Sequence, residues 1–431
     1  MPYWILLVLF LFGCQNLQTP PVVKTQPQTL SILQGSTDET TTVINILAPK
    51  DKKYDYQIYL DKSRLKTPDL IESHFASSNW KVINIPLSRL HPGATYKLTV
   101  RDKQKIIDER TFTTLAKKLN APKIAVISCT DDSYTEIQKQ QWNLVKNKNP
   151  DLLFLIGDNV YVDNHIKRSL SKITEVDILE RYIETRLALE VFQWKHLTPI
   201  FATWDDHDFG KNNAHQSFEF KDQSKYIFQV FFPMVPTKTI QKGPGVSSLF
   251  SLGKTHFIFL DNRYFRSEKL SQPESHFGKE QEQWVSSLLK SKKGAFALIS
   301  GDQFFGGYHP FESYQGDHPQ AFENFLKMIQ SHKKPVYFIS GDRHIAEVMK
   351  IPKKYLGYST YEFTSSGLHT KMYPGSLEKT PNPLALFNKD GEHHFLILQP
   401  LEASRYKVKI KASYYGENAR HLFEEILDVQ L

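Results

Sequence analysis

The sequence predicts an α/β domain preceded by a small all-β sandwich, and three observations carry that expectation. Hydrophobic content is 40% and aromatic content 13%, enough to bury a large core in 431 residues, a length that suits two domains. The hydrophobic period changes near residue 121, from short alternating runs to buried runs separated by amphipathic segments. Those later runs repeatedly end in Gly-Asp, Asp-His or Ser-Cys, so charged and sulfur-bearing residues gather where buried strands finish. The net charge of +8 and isoelectric point near 9.0 are spread along the chain, with no block of five or six like charges. That distribution describes an ordinary basic surface, with attraction of phosphate-bearing anions as the weaker reading. No basic stripe or aromatic platform points to nucleic acid, and we expect a monomer.

Residues 1–12 are almost purely apolar and end in Gly13-Cys14. This is far short of the ~20 residues a membrane-spanning helix needs and fits the apolar core of a secretory signal. Leu11-Phe12-Gly13-Cys14 resembles a bacterial lipobox, although no Lys or Arg precedes the apolar run and Phe12 is bulky for its place. The resemblance makes residues 1–14 a signal peptide with Cys14 as the lipidated residue; a plain cleaved signal is the alternative. It implies an exported chain in the periplasm or at the cell surface, anchored by lipid to the outer membrane. Gln15, where an aspartate would favour inner-membrane retention, agrees with that placement. The only other cysteine is Cys129, so no disulfide is expected. Residues 15–28, rich in Gln, Pro and Thr, read as a semi-extended tether.

Residues 29–115 carry alternating runs at 41–46, 56–60, 80–85 and 96–100, the pattern of short strands in a β-sandwich. Leu90-His91-Pro92-Gly93-Ala94-Thr95-Tyr96 resembles the fibronectin type III corner, in which the tyrosine hydroxyl turns back onto the backbone. Arg110-Thr111-Phe112-Thr113-Thr114 resembles the closing strand of that module. No constellation here carries chemistry, so a spacer or packing domain is preferred over a ligand-binding one.

From 121 to 431, buried runs at 124–127, 152–156, 199–204, 257–260, 297–300, 335–339 and 361–364 read as strands. Helical periods fall at 135–146, 176–196, 217–231, 279–290 and 320–332. The alternating runs 395–398, 406–411 and 426–431 read as antiparallel strands at a sheet edge. A single Gly-Asp after a strand is ordinary turn chemistry. Asp158, Asp302 and Asp342 all follow glycine at such ends, and Asp205-Asp206-His207-Asp208 follows another. That many converging carboxylates repel one another strongly, which implies cations.

Gly157-Asp158-Asn159-Val160-Tyr161, Trp204-Asp205-Asp206-His207-Asp208 and Ser340-Gly341-Asp342-Arg343-His344 resemble the PhoD-type alkaline phosphatase/phosphodiesterase group of the calcineurin-like metallophosphoesterases. Ser128-Cys129, Leu260-Asp261-Asn262-Arg263-Tyr264-Phe265-Arg266 and Gly278-Lys279-Glu280-Gln281-Glu282-Gln283-Trp284 extend the match in the family's order. The resemblance implies a four-layer αββα sandwich with its metal site at the strand mouths, and hydrolysis of phosphate monoesters or diesters outside the cytoplasm. It implies metal ligands at Cys129, Asp158, Tyr161, Asp206, Asp342 and His344, with Asp158 bridging. His207, Asp206 and Asp158 are the catalytic residues it implies, His207 protonating the leaving oxygen or holding the phosphate. No covalent protein nucleophile is assigned.

The donor chemistry is consistent with those roles. A thiolate and a phenolate favour ferric iron (Fe3+), and a carboxylate-rich neighbour suits calcium (Ca2+) before Mg2+ or Mn2+, with Zn2+ a further alternative. Taken singly, a buried cysteine is a small hydrophobe and a buried tyrosine a core aromatic. Asp205, Asp208, Asp261 and Asp302 read as supporting or capping carboxylates, and Gln303 as a candidate metal contact through its amide oxygen. Arg263 and Arg343 read as buried salt-bridge partners before phosphate clamps, with Arg343 pointing away from the metals into packing or a salt bridge. The substrate expected is a phosphate ester. The alternatives are a phospholipase-like diesterase on lipids or polymers, and a surface-displayed binding protein that keeps the fold without catalysis.

Overall fold

The computed structural model describes residues 30–66, 69–163 and 172–431. The signal segment with its lipidation site Cys14 and the tether, as expected from sequence, lie outside the described residues. The N-terminal region carries β1 (Ser31–Gln34), β2 (Thr42–Pro49), β3 (Asp55–Leu60), β4 (Ser63–Arg64), β5 (Ile71–His74), β6 (Trp80–Leu87), β7 (Thr95–Asp102) and β8 (Lys105–Thr113). They form two antiparallel four-stranded sheets, ordered β1-β2-β6-β5 and β4-β3-β7-β8. Alternate residues of the two sheets, Ile44, Ile46, Ile83 and Ile85 against Tyr56, Ile58, Leu98 and Val100, share one core. At the corner, the His91 amide donates to the Tyr96 hydroxyl at 2.7 Å.

The next region begins with β9 (Ile124–Ile127), α1 (Thr135–Asn147), β10 (Leu152–Ile156), α2 (Glu175–Ala188), β11 (Ile200–Thr203), α3 (Asp206–Phe209) and α4 (Lys221–Phe231). It continues through β12 (Ile240–Lys242), β13 (Ser248–Leu252), β14 (Thr255–Phe259), α5 (Lys279–Ser291), β15 (Ala295–Ile299), α6 (Tyr314–Asp317) and α7 (Pro319–Ser331). The remainder is β16 (Val336–Ser340), β17 (Ala346–Ile351), β18 (Thr360–Ser365), α8 (Ser376–Lys379), β19 (Ala385–Lys389), β20 (Phe395–Ala403), β21 (Lys407–Tyr415) and β22 (His421–Gln430). A six-stranded sheet runs β11-β10-β9-β20-β21-β22, and an eight-stranded sheet runs β12-β13-β14-β15-β16-β18-β17-β19. In the first, β9, β10 and β11 are parallel and the C-terminal strands add an antiparallel edge. In the second, β14, β15, β16 and β18 form a parallel centre.

The period of two along β9 shows how the layers stack. Ile124 and Val126 face a core shared with Phe257 and Phe259 of the other sheet, while Ala125 and Ile127 pack against Trp142 of α1 and Ile178 and Tyr182 of α2. Val285 and Leu289 of α5 and Phe325 and Ile329 of α7 complete the eight-stranded sheet's packing. The result is the αββα sandwich, with the all-β region docked on its helical side through Leu33, Leu47 and Val82. Among the described residues no helix is long and apolar enough to cross a membrane.

Two helix boundaries differ from the sequence reading. The helix expected over 176–196 stops at Ala188, where Leu189 turns extended at φ −78°, ψ 133°. The side chain of Gln138 on α1 accepts the Glu190 amide at 3.1 Å and donates to the Ala188 carbonyl at 3.4 Å, so a neighbouring helix takes over the terminal groups. The helix expected from 217 begins at Lys221. Strands β12, β13, β17 and β19, all on the flanks of the eight-stranded sheet, lack a strong hydrophobic run and are additions to the expected set.

Candidate metal centre

The C-terminal ends of β9, β10, β11 and β16 converge where the two sheets meet. The Cys129 amide donates to the Gly157 carbonyl at 3.3 Å, and the Gly341 amide to the Gly301 carbonyl at 2.8 Å. Gly157 has φ +113°, and a Cβ there would lie 2.7 Å from Cβ of Asp205. At Gly301 a Cβ would lie 2.5 Å from Cγ of Asp205, so the Gly-Asp pairs let strand ends from both sheets close around one carboxylate. Cys129, Asp158, Asp342 and His344 hold left-handed backbone at φ +59°, +52°, +69° and +53°. Such conformations persist in non-glycine residues only where the surroundings over-determine them.

Donor atoms fall into three groups, each with its members within 4.8 Å of one another: Cys129, Asp158 and His344; Asp158, Asp206 and His207; Asp205, Asp206 and Asp342. Asp158 and Asp206 each belong to two groups, so the three form one continuous chain of donors. Sγ of Cys129 and the hydroxyl of Tyr161 both lie 3.5 Å from Oδ2 of Asp158, and the Tyr161 hydroxyl lies 3.4 Å from Nε2 of His344. Cys129, Asp158, Tyr161, Asp206, His207, Asp342 and His344, which the resemblance marks as ligands or catalytic groups, are thus brought together. Asp205, expected only in support, joins the third group while accepting Nε of Arg263 at 2.5 Å and Nδ2 of Asn262 at 2.7 Å.

Each histidine is oriented by a partner at Nδ1. His344 Nδ1–H donates to the Lys371 carbonyl at 2.7 Å, leaving Nε2 toward the donors. His207 Nδ1 lies 2.6 Å from Oδ1 of Asp163, and its ring stacks on Tyr161 at 4.4 Å. Asp163 was not singled out from sequence; its one signal is its position two residues beyond Tyr161.

Charge crowding is severe. Burial and the adjacent Asp158 push the Cys129 thiol well above its usual range. Burial, with Asp206 and Asp205 adding to it against the opposing His207, raises Asp158 likewise. Burial and the charges of Asp206 and Glu312 lift Asp342 to about 7. Asp206 goes the other way: burial is outweighed by Arg263 and His207, which hold it below the usual carboxylate range. Oδ1 of Asp158, Oδ2 of Asp205 and Oδ1 of Asn262 are buried acceptors without a hydrogen bond. Crowded anionic donors with unpaired oxygens are a set that cations fit.

The surrounding carboxylates divide by role. Asp208 accepts the Asn159 and Val160 amides, both at 3.0 Å, and caps that turn. Asp261 accepts the Trp204 indole at 2.8 Å and the Val246 amide at 3.0 Å, while Asp302 pairs with Arg266 at 2.8 Å. Gln303 departs from expectation, because its amide oxygen lies 2.9 Å from Nε2 of His309 and is committed there. Arg263 is the buried salt-bridge residue expected, bound to Asp205 and to Glu312 at 2.9 Å. Arg343 takes the packing alternative: its guanidinium stacks on Phe311 at 4.1 Å and takes part in none of the ion pairs among the described residues.

Fold and donors together define an αββα sandwich built around a continuous chain of candidate metal donors. The profile of the PhoD-like phosphatase family matches residues 124–405, and the chain belongs to that family. It is 25% identical over 283 residues to alkaline phosphatase D of Bacillus subtilis (strain 168), a match covering 54% of this chain and 48% of the relative. The chain therefore spans about half the length of that curated relative. A solved structure of PhoD matches with a TM-score of 0.70 over 91% of each chain at 15% identity, a likeness of fold.

Proposed function

We propose that this chain is an exported, metal-dependent hydrolase of phosphate monoesters and diesters. The observation that supports it most is the overlap of the three donor groups through Asp158 and Asp206, because shared carboxylates are how neighbouring cations are held together. Cys129, Asp158, Tyr161 and His344 are the residues to hold ferric iron, and Asp158, Asp206 and Asp342 to hold calcium. When bound, the cations supply Lewis acidity that lowers the pKa of water and neutralises phosphoryl oxygens. The chain's own work is positional. Asp163 holds Nδ1 of His207 beside the Asp158–Asp206 group, which leaves Nε2 to give a proton to the leaving oxygen or a hydrogen bond to the phosphate. In this reading residues 121–431 carry the chemistry, 29–115 act as a spacer, and Cys14 anchors a monomer by lipid to the outer membrane.

Metal analysis of protein purified without chelator, together with hydrolysis of para-nitrophenyl phosphate and its bis-ester, tests the proposal. Bound metal and turnover of at least one ester are expected; no metal and both esters untouched under iron and calcium supplementation would sink it. Cys129→Ala is expected to lose the visible thiolate-to-iron absorption band and most of the activity. Retention of both removes Cys129 from the centre.

A further inference from the structure

The cleft above the donor groups has a volume of about 890 Å³ and extends from Asp158 and Asp342 to a rim that includes Phe311, Arg343 and Tyr373. That is far more room than one phosphoryl group fills. The rim rings are solvent-facing, Phe311 48% and Tyr373 47% exposed, so neither is a core residue. The ion pairs of the cleft wall are complete without Arg343: Arg263 holds Asp205 and Glu312, Arg266 holds Asp302 and Asp317, and Lys269 holds Asp317. Nε and Nη2 of Arg343 are shielded from solvent and have no hydrogen-bond partner. Shielded guanidinium N–H groups without an acceptor are costly, and a planar fork of this kind matches the paired oxygens of a phosphate or carboxylate. Stacking on Phe311 at 4.1 Å fixes the plane of the guanidinium at the rim.

We propose that Arg343, seated on Phe311, is a specificity-determining residue that binds a second anionic group of the substrate, apart from the phosphoryl group at the metal centre. The inference rests on the phosphoesterase reading above and adds a substrate class: phosphate esters carrying a further phosphate or carboxylate a few bonds away. The spacing is short because Arg343 lies in the chain between Asp342 and His344. Tyr373, stacked on His344 at 5.6 Å, offers an apolar surface to the segment joining the two anions.

The test compares kcat/KM of the metal-loaded full chain for propyl phosphate, 1,3-propanediol bisphosphate and 3-phosphooxypropanoate. Wild type is expected to prefer one or both doubly anionic esters by about tenfold, mainly through KM, with the preference shrinking as salt is raised. The two arms separate phosphate from carboxylate as the second anion. Arg343→Met is expected to bring the ratio close to one, and Arg343→Lys to keep part of it. The ratio is internal to each preparation, so partial misfolding does not disturb it, and Phe311→Leu, which frees the guanidinium, is expected to lower it about threefold. A wild-type ratio near one, or a ratio unchanged in Arg343→Met, overturns this inference while leaving the phosphoesterase reading intact. Wild type that cleaves none of the three esters, nor the para-nitrophenyl esters, removes both.

Discussion

Asp163 and the Lys371 carbonyl do the same task for different rings, holding Nδ1 of His207 and Nδ1 of His344. Because Asp163 bonds His207 and is not itself a member of the three donor groups, its removal isolates orientation from coordination. Asp163→Ala is expected to lower turnover about 10–100-fold, the range seen when an outer hydrogen-bond partner is lost, with little change in the melting temperature. Unaltered turnover of the bis-para-nitrophenyl ester would detach His207's orientation from the reaction. The donors other than Asp205 were legible in the sequence because each sits within a few residues of a strand end. Asp163 and the Lys371 carbonyl were not, since their partners lie 44 and 27 residues away in the chain.

At the scale of elements, the glycines before Asp158 and Asp302 are spacing devices as much as turn residues. Gly301→Ala is expected to cost about 1–3 kcal/mol, because the new methyl meets Asp205 at 2.5 Å, and to lower metal occupancy as Asp205 is displaced. Gly253, at φ +59° with nothing within 4 Å of a Cβ, is the control. Gly253→Ala carries only backbone strain, and metal content measured on the two variants should fall in the first alone. Strand β14 makes a separate prediction about acid stability. Burial, with help from Lys292 and Lys334, pushes His256 down to about 4 against the opposing Lys293 carbonyl. The unfolded chain, near 6.5, therefore takes the proton first as pH falls. Stability from this group is full above about pH 6.5 and declines toward pH 4, by up to about 1.4 kcal/mol per pH unit. Denaturant unfolding at pH 7.5 and 5 should show a smaller loss in His256→Gln than in wild type, and an equal loss would assign the acid sensitivity elsewhere.

Over the whole molecule, the β-sandwich is fastened to the α/β sandwich by buried cations. Arg186 on α2 donates to Oδ1 of Asn45 at 2.6 Å, to Oγ of Ser31 at 3.1 Å and to the Ser31 carbonyl at 3.3 Å. Arg110 on β8 bonds the Trp194 carbonyl at 2.5 Å and pairs with Asp108 at 2.8 Å. The two regions are therefore expected to unfold in one transition. Arg186→Met should cost about 3 kcal/mol, since hydrogen bonds to a charged group are lost and their acceptors left buried. In calorimetry the lower midpoint should come with a split or broadened transition; a single transition at the wild-type temperature would show that the fastening lies elsewhere.

The sequence by itself determined the α/β class with its all-β region ahead of it, and the tyrosine corner. It also determined which residue types stand at the strand mouths, because period, turn chemistry and strand-end residues are local properties of the chain. Tertiary structure alone decided where α2 ends, since Gln138 supplies the bonds that close it at Ala188. It decided that Asp205 joins the donors, that Gln303 is spent on His309, and that Arg343 rests on Phe311 instead of a carboxylate. Each of these depends on which distant residue arrives beside it. The sequence names the groups at a strand mouth, but only packing two sheets against each other sets the distances between them.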